Sequence, residues 1–326
     1  MNRFWVWLRQ EGPKGWKHAN DWKHPIVVAL LQYIIVWNVC IFYNDRLVVL
    51  PTMPEYNNTH IAVWLGFYVI WMFGWRFWLF YSDKVERQGV LYEYSWMCNS
   101  TLIMTSLSIM THRPLISLAH AMAVSIDQIL WYVDLLGYLL FRYVQTQSLF
   151  VLYEIYYNKI IASCTQYSLF FFFSLDKKLY LYILFIFGNN DCRKFPIGVA
   201  KYLTWPNTNW MTRLTCTHHL WTIPLILYNT IVTTEGFVYA FGLSMIIVCI
   251  NVILSRFWSP SLIHPTKYLN VNLSHSLWKD ITFSWLQIET DHPTTTIYIF
   301  RLLWRWYLFN LLITTFILYP IYLLLS

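Results

Sequence analysis

The chain predicts an all-α fold, an integral membrane bundle of about seven transmembrane helices with a cytoplasmic interfacial amphipathic helix, on three observations. Hydrophobic residues make up 57% of the 326 and charged residues only 12%, which leaves too little polar surface to cover a water-soluble globule of this length. Apolar runs of spanning length recur from the first quarter of the chain to its last residues. The 19 Trp and 24 Tyr supply the amphipathic rings that gather at the two membrane interfaces. The net charge of +7 is scattered over short connections rather than massed in one block. That pattern fits orientation in a bilayer and contact with membrane lipids, and it excludes a nucleic-acid footprint.

Taken in order, the spans fall at 25–43, 60–81, 94–111, 115–141, 214–231, 236–257 and 298–325. Each is helical by necessity, because an open strand in hydrocarbon leaves backbone groups unpaired at several kcal/mol apiece. Arg3, Arg9, Lys14, Lys17 and Lys23 precede the first run, which begins near Pro25 and continues to Tyr43. It reads as a first span or signal-anchor rather than a cleaved signal peptide. Basic residues collect in the N-terminal tail and in the 82–90 (Lys84, Arg87), 193–213 (Arg193, Lys194, Lys201, Arg213) and 256–297 (Arg256, Lys267, Lys279) connections. These therefore share the cytoplasmic side with the N-terminus, in an endomembrane such as the endoplasmic reticulum. The Asn57-Asn58-Thr59 triplet is compatible with the lumenal side. Within 256–297, Leu273, Leu277, Trp278, Ile281, Trp285 and Ile288 recur at helical spacing. The stretch 272–288 is thus expected to be an amphipathic helix, lying on the cytoplasmic leaflet or packed under the bundle.

The chain reads as one polytopic membrane domain, 1–326, interrupted by a stretch, 144–192, that breaks the scheme. This stretch has no proline and one glycine, carries Phe170-Phe171-Phe172-Phe173, and as an added span would reverse the side of everything after it. Its removal restores the charge pattern and joins Leu139-Leu140-Phe141-Arg142 to Lys194-Phe195-Pro196-Ile197-Gly198 through a short basic turn. It reads as an insertion, or a translated retained intron.

Chemistry is sought among polar groups inside spans, where an Asp at a helix centre costs roughly 2.5–3.5 kcal/mol. His120, Asp127 and Asp134 lie seven residues apart in the fourth span, with Gln128 and Trp131 beside them. They form either a stripe facing a substrate or water-filled cavity, or a set of structural interhelical hydrogen bonds. The six cysteines have no paired spacing, so neither a disulfide framework nor a zinc site is legible, and no cofactor is expected. Cys98 stands early in the third span, and Cys216, His218 and His219 open the fifth. A lone membrane cysteine is ordinarily a packing residue, and adjacent histidines can simply be interfacial. Depth makes the two converge. At 1.5 Å per residue, Cys98 and His219 fall about 6–9 Å, and Asp134 about 10 Å, inside the cytoplasmic boundary. A thiol, an imidazole and a carboxylate at one level are the set that nucleophilic acyl transfer requires.

The run Trp96-Met97-Cys98-Asn99, a polar helix, and then His219-Leu220-Trp221-Thr222-Ile223-Pro224-Leu225-Ile226-Leu227-Tyr228 resembles the layout of the YwaF-type membrane proteins and the transmembrane protein 164-like acyltransferases. The similar androgen-induced-gene-type lipid hydrolases use a threonine and a histidine. The resemblance covers about residues 25–257 without the insertion. It implies a multi-pass membrane acyltransferase or lipid hydrolase with Cys98 as nucleophile and His219 as base. Asp134 then orients the base, and Thr101 is a second candidate nucleophile. Asp127 and Gln128 would line the substrate region, and Arg301 and Arg305 would hold a headgroup phosphate or serve as snorkelling anchors. Two rivals remain: a proton-coupled transporter built on His120, Asp127 and Asp134, and a non-catalytic assembly subunit. For 144–192, the retained-intron reading expects a shorter spliced message without it. Transcript sequencing checks this, and an abundant message containing the stretch overturns it.

Overall fold

The structure is a computed structural model that describes residues 22–47, 59–140, 195, 197–204, 208–230, 232–264, 267–276 and 295–325. The stretch 144–192 and the part of the expected amphipathic helix from 277 to 288 lie outside the described residues. The helices are α1 Lys23–Phe42, α2 Thr59–Leu79, α3 Lys84–Glu93, α4 Met97–Met110, α5 Pro114–Ala123, α6 Ser125–Leu140, α7 Trp210–Thr215, α8 His218–Asn229, α9 Thr234–Trp258, α10 Thr295–Ile313 and α11 Tyr319–Leu325. A two-residue-to-three-residue antiparallel ladder, Leu262–His264 with Lys267–Tyr268, follows α9.

Among the described residues, four continuous helical runs are long and apolar enough to cross a bilayer: Lys23–Arg46, Thr59–Leu79, Thr234–Trp258 and Thr295–Leu325. The pair α5 and α6, bent by 56°, makes up to five. These apolar, membrane-length helices make the chain an integral membrane protein with a largely helical fold. They also correct the expected count of seven. The apolar runs at 94–111 and 214–231 are real, but their helices stop at 14 and 12 residues. At 1.5 Å per residue these reach only about 21 and 18 Å, short of the roughly 30 Å hydrocarbon core. The first ends where His112 turns into the left-handed region (φ 53°) ahead of Pro114, a residue that starts a helix but cannot continue one. The start of the expected amphipathic helix is also corrected. Residues Val271–Leu273 form a 3-10 turn, with Asn272 and Leu273 both at positive φ, so no amphipathic helix begins there.

Two compact units divide the chain, one of Met1–Gln128, His218–Lys279 and Trp285–Ser326, the other of Ile129–Thr217 and Asp280–Ser284. In the first, α5 is the hub. All its residues from Leu115 to Ala123 are buried, as expected of a helix apolar on every side. Ser117, Ala119, Ala121 and Ala123 keep its surface narrow enough for α9, α4 and α8 to pack on it. α2 packs on α4, and α9 also meets α1 and α10. Outward-facing Phe67, Ile70, Trp78, Val238, Phe300 and Phe316 are exposed, a surface suited to lipid.

Polar groups freed by helix ends are paired one by one. The Ala123 carbonyl at the end of α5 accepts from the Trp306 indole N–H (3.1 Å), and the Arg113 guanidinium forks onto the Asp45 carboxylate at 3.2 and 2.9 Å. Below α9, the ring of His275 donates from Nε2 to the Ser259 carbonyl (2.9 Å) and accepts at Nδ1 from Arg256 (3.0 Å).

In the second unit, the backbone N–H groups of Ile197, Gly198 and Ala200 converge on the Asp134 carboxylate at 2.7–3.0 Å. Gly198 has φ 97°, and this left-handed residue lets successive amides face one anion. Tyr138, one turn along α6, stacks on Phe195 with ring centroids 4.7 Å apart.

Two outcomes follow for stability in detergent. Asp134→Asn turns an amide N–H toward amide donors and lowers unfolding stability by about 2–3 kcal/mol, and Gly198→Ala by about 1–2 kcal/mol, both read by thermal unfolding. Burial, with Arg256 adjacent, pushes His275 down to about 4 from an ordinary 6.5. The unfolded chain therefore binds the extra proton between these values, so stability is full above pH 6.5 and falls as pH drops toward 4, by about 3 kcal/mol. His275→Gln should flatten that part of the pH profile.

Candidate active site

Cys98 is the second residue of α4, and the start of that helix is built by groups from distant parts of the chain. Its N-cap, Trp96, contributes no side-chain hydrogen bond. Asn272 does the capping instead. Its Oδ1 accepts from Met97 N–H (2.6 Å), while its Nδ2 donates to the Ser95 carbonyl (2.9 Å) and to Ser255 Oγ (2.8 Å). The conformation this needs, φ 52°, is one that asparagine tolerates better than other non-glycine residues. Gln32 Nε2 on α1 adds a second bond to the Ser95 carbonyl (3.0 Å), and Asn99 Nδ2 reaches back to the Glu93 carbonyl (2.9 Å). Thus Cys98 stands on a helix start held from α1, α3 and the 271–273 turn.

The histidines come from the first turn of α8. A straight helix would send consecutive side chains about 100° apart, yet the two rings sit with centroids 4.2 Å apart. The ligand atoms of Cys98, His218 and His219 all lie within 4.8 Å of one another. His218 is buried, Cys98 and His219 partly so. This cluster is able to hold a metal ion or to serve as a catalytic centre. Cys98 and His219 are therefore brought together, with His218 beside them.

Gln128, at the start of α6, is buried and hydrogen-bonded from its side-chain amide to His219 Nδ1 at 2.7 Å. Its Oε1 has no partner among the described residues. The two ends of an amide are isosteric, so one geometry serves two arrangements. With the oxygen on Nδ1–H, the amide oxygen is satisfied and His219 keeps its Nε2 lone pair, the arrangement a base or ligand needs. Arg76 of α2 is ion-paired to Glu93 at the end of α3. Trp221, on the turn after His219, packs against Trp64 (4.9 Å) and Tyr68 (5.0 Å).

The remaining expected residues go elsewhere. Both oxygens of Asp134 are occupied by the amides of 197–200, and the group touching His219 Nδ1 is Gln128. His120 is fully buried on α5, with Nδ1 donating to its own helix at the Ile116 carbonyl (2.9 Å). The bend between α5 and α6 separates it from Asp127, which is partly buried on α6, so the seven-residue stripe is not one straight face. Thr101 donates its hydroxyl to the Met97 carbonyl (2.8 Å) in an ordinary intrahelical bond. Cys216 caps α7 and is not on α8. Arg301 is exposed on α10, and Arg305 donates to the Arg301 carbonyl (3.3 Å).

Arg76 and Glu93 were not singled out from the sequence, His218 was read only as one of two adjacent histidines that can be interfacial, and Asn272 only as the first residue of an expected amphipathic helix. Arg76 had a usable signal, a charge within the apolar run 60–81. The others are recognisable only once the chain is folded. No protein-family model, curated protein or solved structure matches the chain, so the candidate site rests on this geometry alone.

Proposed function

We propose that the protein is a membrane-embedded lipid acyltransferase or lipid hydrolase that works through a Cys98 thiolate at the cytoplasmic leaflet of an endomembrane, with the N-terminus on the cytoplasmic side. The observation that carries the reading is the convergence of the Cys98 sulfur with imidazole nitrogen within 4.8 Å in an apolar helical bundle. The resemblance to the YwaF-type and transmembrane protein 164-like proteins at Trp96–Asn99 and His219–Tyr228 supports it.

His219 takes the thiol proton, and the start of α4, with its positive dipole end, favours the thiolate that results. The sulfur attacks the carbonyl carbon of a lipid ester. A C–S bond forms, the ester C–O bond breaks, and the leaving alcohol takes the proton from His219. A second alcohol, or water, then attacks the thioester, giving a new ester or a free acid and returning the proton to sulfur. Gln128 positions His219 through Nδ1, the part first assigned to Asp134.

A lipid substrate also needs a place for its headgroup. Trp22, Ile26, Phe77, Lys84, Arg87, Gln88 and Leu91 line a cleft of about 440 Å³. Arg87 is held there by the Tyr81 carbonyl (2.9 Å) and lies 5.7 Å from the Phe77 ring centre. Two cations beside apolar and aromatic surface suit a phosphate joined to acyl chains better than the exposed Arg301.

In native membranes, a lipid-like electrophile that mimics an acyl donor should label the protein. The expected pattern is labelling abolished in Cys98→Ala, slowed about 100-fold or more in His219→Ala, and retained in Cys216→Ala. Labelling that survives Cys98→Ala overturns the proposal.

A further inference from the structure

Acyl transfer uses Cys98 and one imidazole. The second imidazole is surplus to it, yet it is the more deeply buried of the two and turned to the same side. From this we propose that Cys98, His218 and His219 form a Zn²⁺ site, and that zinc held there silences the nucleophile.

One thiolate and two imidazoles are a borderline-soft donor set that suits zinc, and three protein ligands leave the fourth tetrahedral position open. Ideal Zn–S and Zn–N bonds of about 2.3 and 2.0–2.1 Å place donor atoms roughly 3.3–3.6 Å apart. The present atoms, all within 4.8 Å, therefore need only about 1 Å of closure. Side-chain rotation at Cys98 and the two histidines supplies that without moving either helix. The outer shell is in place as well: Gln128 occupies Nδ1 of His219 and leaves Nε2 as the nitrogen that binds a metal, as the partner of a metal-bound histidine does. The sequence hid the site because a lone cysteine 120 residues from a histidine pair has no recognisable metal spacing.

Binding releases the thiol proton to solvent and forms one Zn–S and two Zn–N bonds, with no redox step. The sulfur lone pair that would attack an ester is then committed to the metal. The regulatory half of the proposal rests on the acyl-transfer reading, whereas the binding half does not.

The test uses the full chain purified in detergent and stripped with chelator, with Co²⁺ as the spectroscopic probe and Zn²⁺ as competitor. One equivalent of Co²⁺ should produce a thiolate-to-cobalt charge-transfer band, displaced by Zn²⁺. The band should vanish in Cys98→Ser, and Co²⁺ affinity should fall by about 100-fold or more in His218→Gln and by about 10–100-fold in Gln128→Leu. Thermal unfolding of each variant confirms that it is folded, and wild-type protein gives an independent readout through zinc-dependent thermal stabilisation, reversed by chelator. Zinc should also suppress electrophile labelling of the wild type. Absence of the band together with absence of zinc stabilisation in wild-type protein overturns the site, whatever the labelling shows. A band that survives Cys98→Ser overturns the assigned ligands. An intact band with labelling indifferent to Cys98 supports the zinc site and rejects only the acyl-transfer reading.

Discussion

Between Glu93 and Met97 the chain ends one helix and begins another, and the backbone N–H and C=O groups released there have little access to water. Each costs several kcal/mol if left unpaired in apolar surroundings. Asn272 answers this with a single amide, whose oxygen takes the Met97 N–H and whose nitrogen serves the Ser95 carbonyl and Ser255. Gln32 reinforces the same carbonyl from α1. These bonds fix the first turn of α4, and Cys98 follows one residue later, so the position of the sulfur depends on a side chain 174 residues away in the chain. The 271–273 turn is accordingly part of the site's scaffold rather than a connection between spans.

The same constraint explains which features were legible beforehand. Hydropathy reports where a chain can avoid water, and it located every long helix to within a few residues. It does not report where a helix stops. The runs around α4 and α8 are apolar throughout, yet the backbone turns at His112 and the break before His218 shorten both, and among the described residues four or five spans stand where seven were expected. Cys98 and His219 meet in the structure, while the polar stripe through His120 and Asp127 is divided by the bend between α5 and α6.

What the sequence could not supply were roles assigned by contacts across long separations. Asp134 looked like a catalytic carboxylate because a buried Asp is costly, but its cost is met by three backbone amides. Asn272 stood at the start of an expected amphipathic helix, but it works as a buried cap. Gln128 seemed secondary beside Asp127, and it is the residue on the histidine. In each case residue type was read correctly and partner was not, because the partners lie far away in the sequence and are set only by folding.

The fastening of Phe195 and residues 197–200 to α6 has a further consequence. Tyr138 and Phe195 stack at 4.7 Å although 56 residues lie between them, and Asp134 grips the backbone just beyond. The stacked rings and the gripped backbone hold one short segment at two points, so losing either contact loosens the other and a double substitution costs less than the sum of the two single ones.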